Sequence, residues 1–180
     1  ALMRGVASLL SLGIHGRIAW RTGYALQSAL GTTFATARIT MDYRPAITPE
    51  VMAQLRPQLQ PGDVLLVRAD QKLTAALLPG FWAHAAIYLG NQAELERTGL
   101  ASYPGVAKHL TKLPSQIPSL VLEAIAPRCL VNSLENSLFA DHVVVLRPNL
   151  PIALLASALE EAFAHLGKPY DFEFDFNVTN

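Results

Sequence analysis

The amino-acid sequence predicts an α+β domain, and three observations support this fold class. Several strand-like segments follow one another along the chain, and helical patterns lie before and after them. Hydrophobic residues make up 51% of the 180 residues and charged residues only 16%, which excludes a disordered chain. Because the strands do not alternate with helices in a repeating order, the pattern disfavours a parallel sheet built from βαβ units.

The length and the charge limit the number of domains and the classes of partner. A chain of 180 residues suits one domain with a sizeable core. We place this domain at residues 46–180, after an N-terminal helical segment and connector at residues 1–45. The net charge is zero, which argues against nucleic acid as a partner because phosphate binding needs a cationic surface.

Residues 1–35 carry apolar side chains at helical spacing and are predicted to form helices. Residues 1–41 contain no acidic residue, and their basic residues are Arg4, Arg17, Arg21 and Arg38. A basic helix with an apolar face fits a membrane surface, although the uncharged run at residues 5–14 is too short to span a bilayer. A helical hairpin packed against the domain is the preferred alternative.

Three elements are predicted before the central strand of the domain. Thr48-Pro49-Glu50 offers a capping hydroxyl, a proline at the first helical position and an acid in the first turn, which predicts a helix over 49–58. A Pro-Gly turn then leads into a strand over 63–68. A short apolar helix is predicted over 71–78.

The second half of the domain is predicted to contain a loop, two strands and a helix. Residues 91–119 show no clean periodicity, which predicts a long loop with at most one helical turn. Apolar runs predict strands over 120–125 and 141–147. Residues 151–166 form the clearest helical pattern, and Gly167 follows as its C-terminal stop.

The apolar and aromatic residues at 82–90 predict the central buried strand, which ends at the turn signal Gly90-Asn91. Strand alternation puts Trp82 and His84 on the side of the strand that also carries Ala86 and Tyr88. Small alanines flank His84 and leave room for a group to approach the imidazole. The alternative is a core histidine bonded to a backbone carbonyl.

Glu123 interrupts the apolar strand at residues 120–125. A carboxylate is rarely buried in a strand without a partner, and a histidine on a neighbouring strand is the obvious candidate. A bond from His84 to Glu123 would fix the tautomer of the ring and stabilise the imidazolium, as the orienting member of a catalytic triad does. The alternative is a solvated Glu123 at the sheet edge.

Five segments in this order resemble the circularly permuted NlpC-type papain-like hydrolases, in the YiiX-like branch related to the lecithin:retinol acyltransferase proteins. They read PGDVLLV at 61–67, WAHAAIYLG at 82–90, LEA at 122–124, VLRP at 145–148 and GKPYDF at 167–172. The resemblance covers residues 58–176 and implies an antiparallel sheet or barrel packed with helices, with the N-terminal helices as an addition. It also implies that His84 is the general base and Glu123 the residue that orients it.

The nucleophile is where the sequence departs from this family. The family's catalytic cysteine follows the Tyr-Asp-Phe stretch at the start of a helix, and residues 173–180 contain no cysteine. We therefore expect the nucleophile to lie beyond residue 180, so that the chain as given lacks it. The single cysteine, Cys129, follows Arg128, which could lower the pKa of its thiol, but its other neighbours are apolar and free cysteines are commonly buried. We expect Cys129 not to be catalytic.

The resemblance implies a cysteine hydrolase or acyltransferase that acts on an amide, ester or thioester through a Cys-His-Glu type site. Trp82, Tyr170 and Asp171 are candidates for substrate binding, and plain packing is the alternative for each. No cofactor is expected. One cysteine and five scattered histidines also give no metal-binding signature.

Two alternatives to an active enzyme remain open from the sequence. One is a catalytically inactive binding or scaffold module, and the other is a lipid-handling protein that uses residues 1–35 on a membrane surface. The substrate could be a murein peptide, another amide or a lipid acyl group. The sequence leaves the oligomeric state open and fits either a cytoplasmic or a cell-envelope location.

Overall fold

An antiparallel sheet of five strands lies at the centre of the structure, in the spatial order β4-β3-β2-β1-β5. The computed structural model describes residues 43–72, 75 and 80–170. The strands are β1 (Val64–Arg68), β2 (His84–Gly90), β3 (Leu120–Ile125), β4 (Arg128–Ser133) and β5 (His142–Leu146). The four predicted strands are confirmed to within two residues at each end, and the sheet with its helices makes this an α+β fold.

Helices lie on both sides of this sheet. The α-helices are α1 (Pro49–Leu55), α2 (Gln92–Arg97), α3 (Pro104–Leu110), α4 (Leu134–Ser137) and α5 (Ile152–Ala164). Short 3₁₀ helices cover Arg56–Gln58, which continues α1, and Leu100–Ser102. The predicted helices over 49–58 and 151–166 are confirmed.

Local end signals explain where α1 and α5 begin and end. The Thr48 hydroxyl accepts the backbone N–H of Val51 at 3.4 Å, and Pro49 occupies the first position of α1. After α5, Gly167 has a φ of +81°, a left-handed conformation that glycine adopts without steric cost.

The predicted loop over residues 91–119 was wrong, because α2 and α3 lie within it. The Asn91 side chain accepts the backbone N–H of Glu94 at 2.9 Å, and the Glu94 carboxylate accepts the backbone N–H of Asn91 at 3.0 Å. This reciprocal capping box starts α2. Pro104 starts α3. Both helices are too short for apolar periodicity to reveal, so only their end signals could have predicted them.

Strand β4 was not predicted. It pairs with β3 along its whole length, from Ile125 opposite Arg128 to Leu120 opposite Ser133. The turn between the two strands is Ala126-Pro127, which lacks the Asn-Gly or Asp-Gly sequence that marks a tight hairpin. Without a turn signal, local patterns do not mark the start of a new strand at residue 128.

Each face of the sheet contributes to a separate hydrophobic core. The first core contains strand residues Leu65, Val67, Ala86, Tyr88 and Val121, packed with Met52 of α1 and with Leu134 and Leu138 at α4. The second core contains strand residues Leu89, Leu120, Leu122 and Cys129, packed with Leu95 of α2, Val106 of α3 and Ala156, Leu159 and Phe163 of α5. The sheet is thus covered by α1 and α4 on one face and by α2, α3 and α5 on the other.

The segment after α5 extends the sheet beyond β4. Gly167 N–H donates to the carbonyl of Cys129 at 2.9 Å, and Cys129 N–H donates to the carbonyl of Lys168 at 3.0 Å. Pro169 then bridges Arg128 in antiparallel fashion, and Tyr170 N–H donates to the carbonyl of Pro127 at 2.9 Å. Residues 167–170 therefore run along the outer edge of β4.

A buried carboxylate ties the start of β1 to the end of β5. The Asp63 side chain is 1% exposed and accepts two hydrogen bonds from Arg147, from Nε at 2.8 Å and from Nη2 at 2.7 Å. Gln60 donates its backbone N–H to the same carboxylate at 2.8 Å. This pair fixes the turn that leads into β1.

Several sequence predictions fall outside the described residues. The N-terminal helices over 1–35 and most of the predicted helix over 71–78 are among them. The boundary between residues 45 and 46 also stays a prediction. Among the helices that the structure does describe, none has the length and apolar character needed to cross a bilayer.

Candidate active site

The pairing of β2 with β3 places His84 and Glu123 on the same face of the sheet. Ala86 lies directly opposite Glu123, and residues two apart along a strand share a face. His84 is therefore a diagonal neighbour of Glu123, within reach of its long side chain. The predicted alternation is confirmed along β2, because Ala86 and Tyr88 pack in the first core and Leu89 in the second.

The two side chains are hydrogen-bonded, with 2.7 Å between His84 Nε2 and Glu123 Oε2. Glu123 is 3% exposed, so the alternative of a solvated carboxylate at the sheet edge is wrong. The alternative of a histidine bonded to a backbone carbonyl does not describe this contact, since the partner is a side-chain carboxylate.

Two further side chains donate to the Glu123 carboxylate. Asn132 of β4 donates through Nδ2 to Oε1 at 2.7 Å. Ser137 of α4 donates its hydroxyl to Oε2 at 2.8 Å. Burial by itself raises the pKa of the Glu123 carboxyl, but the hydrogen bonds from His84, Asn132 and Ser137 hold that pKa below its usual value. Glu123 is therefore an ionised, buried carboxylate near neutral pH.

The ionised state of Glu123 decides the tautomer of His84. A carboxylate can only accept hydrogen bonds, so the hydrogen of neutral His84 is on Nε2 and donates to Glu123. The lone pair is then on Nδ1, the nitrogen free to remove a proton from another group. The His84 side chain is 27% exposed, so the ring is partly accessible at the same time as its bond to Glu123 holds it.

Two other histidines pair with carboxylates, and their environments differ from that of His84. His142 lies 3.0 Å from Asp70 and His165 lies 3.3 Å from Glu161, and all four of these side chains are at least 44% exposed. Exposed pairs of this kind contribute little because water screens them. Among the described residues, His84 is the histidine whose carboxylate partner is buried and held by further donors.

Cys129 lies on the wrong face of the sheet to serve His84. It is opposite Ala124, the neighbour of Glu123 in β3, so its side chain points away from the Glu123 face and into the second core. Burial raises the pKa of its thiol, the nearby Glu123 charge raises it further, and Lys168 offsets this in part. These observations support the expectation that Cys129 is not the nucleophile.

Trp82 lies just before β2, and Tyr170 donates its backbone N–H to Pro127 just after β3, so both lie at the end of the sheet that carries His84. Asp171 lies outside the described residues. Trp82 is 38% exposed and packs edge-on against Phe81, with ring centroids 4.9 Å apart. Tyr170 is half-buried and held by its backbone beside the turn that joins β3 to β4. The substrate-binding roles of these residues stay predictions.

Asn132 and Ser137 are the site residues that sequence reasoning missed. Asn132 belongs to the strand that was not predicted, and Ser137 belongs to a helix of four residues. Their positions beside Glu123 depend on the β3–β4 register, which no local pattern specifies.

For metals, no group of three or more histidine, cysteine or acidic side chains suited to an ion occurs within the described ranges.

A comparison with protein families decides where the chain belongs. A family model described as "Permuted papain-like amidase enzyme, YaeF/YiiX, C92 family" matches residues 58–180. The chain belongs to this C92 family. No curated protein and no solved structure shows significant similarity to the chain.

Membership of the C92 family is consistent with the observed architecture. The match begins at residue 58, just before the Asp63 turn, and includes all five strands of the sheet together with the His84–Glu123 pair. The family description supports a permuted papain-like fold and the amidase class of enzyme.

Proposed function

We propose that the native protein is a papain-like cysteine amidase in which His84 is the general base and Glu123 orients it. The hydrogen bond of 2.7 Å between His84 Nε2 and the buried Glu123 carboxylate is the observation that carries this proposal. It leaves His84 Nδ1 free as the basic atom, and it provides an anion that stabilises the imidazolium. The family description supports an amide as substrate over an ester or a thioester.

The nucleophile of this proposal is a cysteine thiol in a segment beyond residue 180. Cys129 is the one cysteine in the 180 residues, and it lies on the opposite face of the sheet. Residues 167–170 run along β4 towards the end of the sheet that carries His84, since Pro169 pairs with Arg128 and Arg128 pairs with Ile125. A thiol at the N-terminus of a following helix would also have a lowered pKa.

The reaction would proceed through an acyl-enzyme. His84 Nδ1 removes the thiol proton, the thiolate sulfur bonds to the amide carbon, and the C–N bond breaks as the imidazolium protonates the departing amine. Water then attacks the thioester while Nδ1 takes its proton, and the C–S bond breaks to release the acid and restore the thiol. An amine or alcohol in place of this water would make the protein an acyltransferase.

The proposed substrate-binding residues are Trp82, Tyr170 and Asp171. The Trp82 indole is exposed, two residues before His84 in the chain, and offers an apolar surface to a peptide or an acyl chain. The NlpC-type resemblance favours a murein or other peptide, and the lecithin:retinol acyltransferase relationship favours a lipid acyl group. Residues 1–35 would give a lipid-directed protein its membrane-surface contact.

A binding or scaffold module without catalysis is the second candidate. The observation that favours it is the position of Cys129, which leaves these 180 residues without a thiol near His84. In that case the His84–Glu123 pair would serve only to hold β2 and β3 together.

A thiol-directed probe distinguishes the two candidates. In the native protein with Cys129→Ser, iodoacetamide should label one cysteine near neutral pH, and His84→Ala should abolish this labelling. His165→Ala is the matched control, because His165 pairs with a carboxylate but is exposed, and it should label normally. Full labelling in His84→Ala would overturn the role of the base, and no reactive thiol in the Cys129→Ser protein would leave the binding module as the function.

A further inference from the structure

We propose that Asn132 and Ser137 are positioning residues that fix the Glu123 carboxylate as the anionic partner of His84. This inference rests on the proposed function for its catalytic consequence. The arrangement of the side chains around Glu123, however, is independent of the nucleophile.

The two residues hold both oxygens of the carboxylate. Asn132 Nδ2 lies 2.7 Å from Oε1, and Ser137 Oγ lies 2.8 Å from Oε2, the same oxygen that accepts from His84. A carboxylate held at both oxygens cannot rotate about its last bond without losing a buried hydrogen bond. The direction in which Glu123 presents Oε2 to the ring is therefore set by β4 and α4.

Asn132 is itself oriented by its neighbours. Its Oδ1 accepts the backbone N–H of Ser133 at 2.9 Å and the side-chain amide of Asn136 at 3.2 Å. With the carbonyl oxygen occupied by two donors, the amide nitrogen of Asn132 must be the atom that faces Glu123. This fixes the amide in the orientation that donates.

Ser137 is held in place by a small helix anchored in the first core. The Ser133 hydroxyl caps α4 by accepting the backbone N–H of Asn136 at 3.2 Å. Leu134, the first residue of α4, and Leu138, which follows its last residue, are fully buried. The turn that carries Ser137 therefore has little freedom to move away from Glu123.

The chemical nature of the two donors explains what they contribute. Asn132 and Ser137 are neutral, so they compensate for the burial of the carboxylate without cancelling its charge. A lysine or arginine in either position would satisfy Glu123 equally well but would weaken its attraction for an imidazolium on His84. The site thus keeps a buried negative charge for the moment when His84 takes a proton.

The first test needs no nucleophile and can be made on the 180-residue chain. The ¹³C resonance of the Glu123 carboxyl group is followed against pH in the wild type, Ser137→Ala and Asn132→Ala. Its midpoint should rise in both variants, because each loses a hydrogen bond that favours the ionised form. Ser137→Thr keeps the hydroxyl and should restore the wild-type midpoint, whereas Ser157→Ala, on the distant helix α5, should not move it.

Unchanged Glu123 midpoints in both alanine variants would overturn the inference. If either variant fails to fold, a measurement on the wild type still tests the inference. The Asn132 side-chain amide resonance should follow the same midpoint as the Glu123 carboxyl, and a different midpoint would reject the contact.

The second test measures the catalytic consequence in the native protein. Ser137→Ala and Asn132→Ala should each slow iodoacetamide labelling of the proposed nucleophile about tenfold. The acid limb of the pH–rate profile should also move to higher pH, because the pKa of the Glu123 carboxyl rises when it loses a hydrogen bond. Normal labelling with a shifted carboxyl midpoint would show that the contacts exist without a positioning role. If the wild type itself has no reactive thiol, the amidase proposal fails, and the carboxyl titration alone decides whether the two residues fix Glu123.

Discussion

His84 and Glu123 are 39 positions apart in the chain, yet Nε2 of one lies 2.7 Å from Oε2 of the other. The contact follows from strand pairing, because Ala86 opposite Glu123 makes His84 the diagonal neighbour of the carboxylate. Glu123 is buried and His84 is partly exposed. The pair therefore leaves the imidazole partly accessible and buries the carboxylate that is bonded to it.

Glu123→Gln should slow thiol labelling of the native protein without abolishing it. The glutamine oxygen can still accept from Nε2, but the charge that stabilises the imidazolium is lost. We expect a loss of about 10- to 100-fold in labelling rate, the size of a hydrogen bond to a charged group. Labelling rates at several pH values measure this, and a Glu123→Gln rate equal to that of the wild type would contradict the orienting role.

The stability of the fold should depend on the charge of Glu123 in acid. The pKa of this carboxyl is lowered in the folded protein from a reference value of 4.5, so its stabilising contribution is full above that pH and is lost as the pH falls through the lower, folded value. Glu123→Gln removes this dependence. Urea unfolding between about pH 7 and about pH 3 should show a smaller acid loss in Glu123→Gln than in the wild type.

Matching acid losses in the two proteins would show that other carboxylates control the acid stability. Glu161→Gln is the control for this comparison. Its partner contact is long and both side chains are largely exposed, so the substitution should leave the pH dependence unchanged.

Cys129 should react with thiol reagents only when the protein opens. The side chain is 8% exposed, and burial raises the pKa of the thiol, so little thiolate is present or accessible. In the 180-residue chain, reaction with Ellman's reagent should be slow in native buffer and complete in denaturant. Rapid native reaction would contradict the placement of Cys129 in the second core.

Arg147→Met should destabilise the fold through the buried Asp63 carboxylate. The substitution removes two of its hydrogen bonds, although the backbone N–H of Gln60 remains. We expect a loss of about 1–2 kcal/mol in the free energy of unfolding. The loss is no larger because the Arg147 side chain itself is half exposed, so water screens its charge. Lys108→Met is the matched control.

That control breaks the pair of Lys108 with Glu160, in which both side chains are more than half exposed. It should cost no more than about 0.5 kcal/mol in the same urea titration. Equal losses for Arg147→Met and Lys108→Met would mean that the burial of Asp63 does not decide the energy of its pair.

Residues 1–35 should bring the protein to anionic membranes if they lie on a membrane surface. Sedimentation with phosphatidylserine-containing vesicles should exceed that with pure phosphatidylcholine vesicles and should weaken with salt, because the attraction is electrostatic. Replacement of Arg4, Arg17 and Arg21 by glutamine is the control. Equal recovery on both kinds of vesicle would favour helices packed on the domain.

Much of the fold could be predicted from local patterns alone. The strands over 63–68 and 120–125 and the helix over 151–166 have apolar runs or periodicity together with clear end signals. The short helices α2 and α3 were missed because each has only one or two turns, and β4 was missed because its turn carries no hairpin signature.

From the sequence alone we predicted the residues of the proposed chemistry: a histidine in an apolar strand, a carboxylate in another, and five segments in the order of the papain-like hydrolases that the chain resembles. Only the tertiary structure decided that these two residues touch, that Asn132 and Ser137 hold the carboxylate, and that Cys129 faces the other way. The physical reason is strand register. Because side chains alternate faces, a shift of one residue between β2 and β3 would separate His84 from Glu123. The same shift between β3 and β4 would turn Asn132 away from Glu123 and Cys129 towards its face. Register is set by pairing between distant parts of the chain, so no local pattern specifies it.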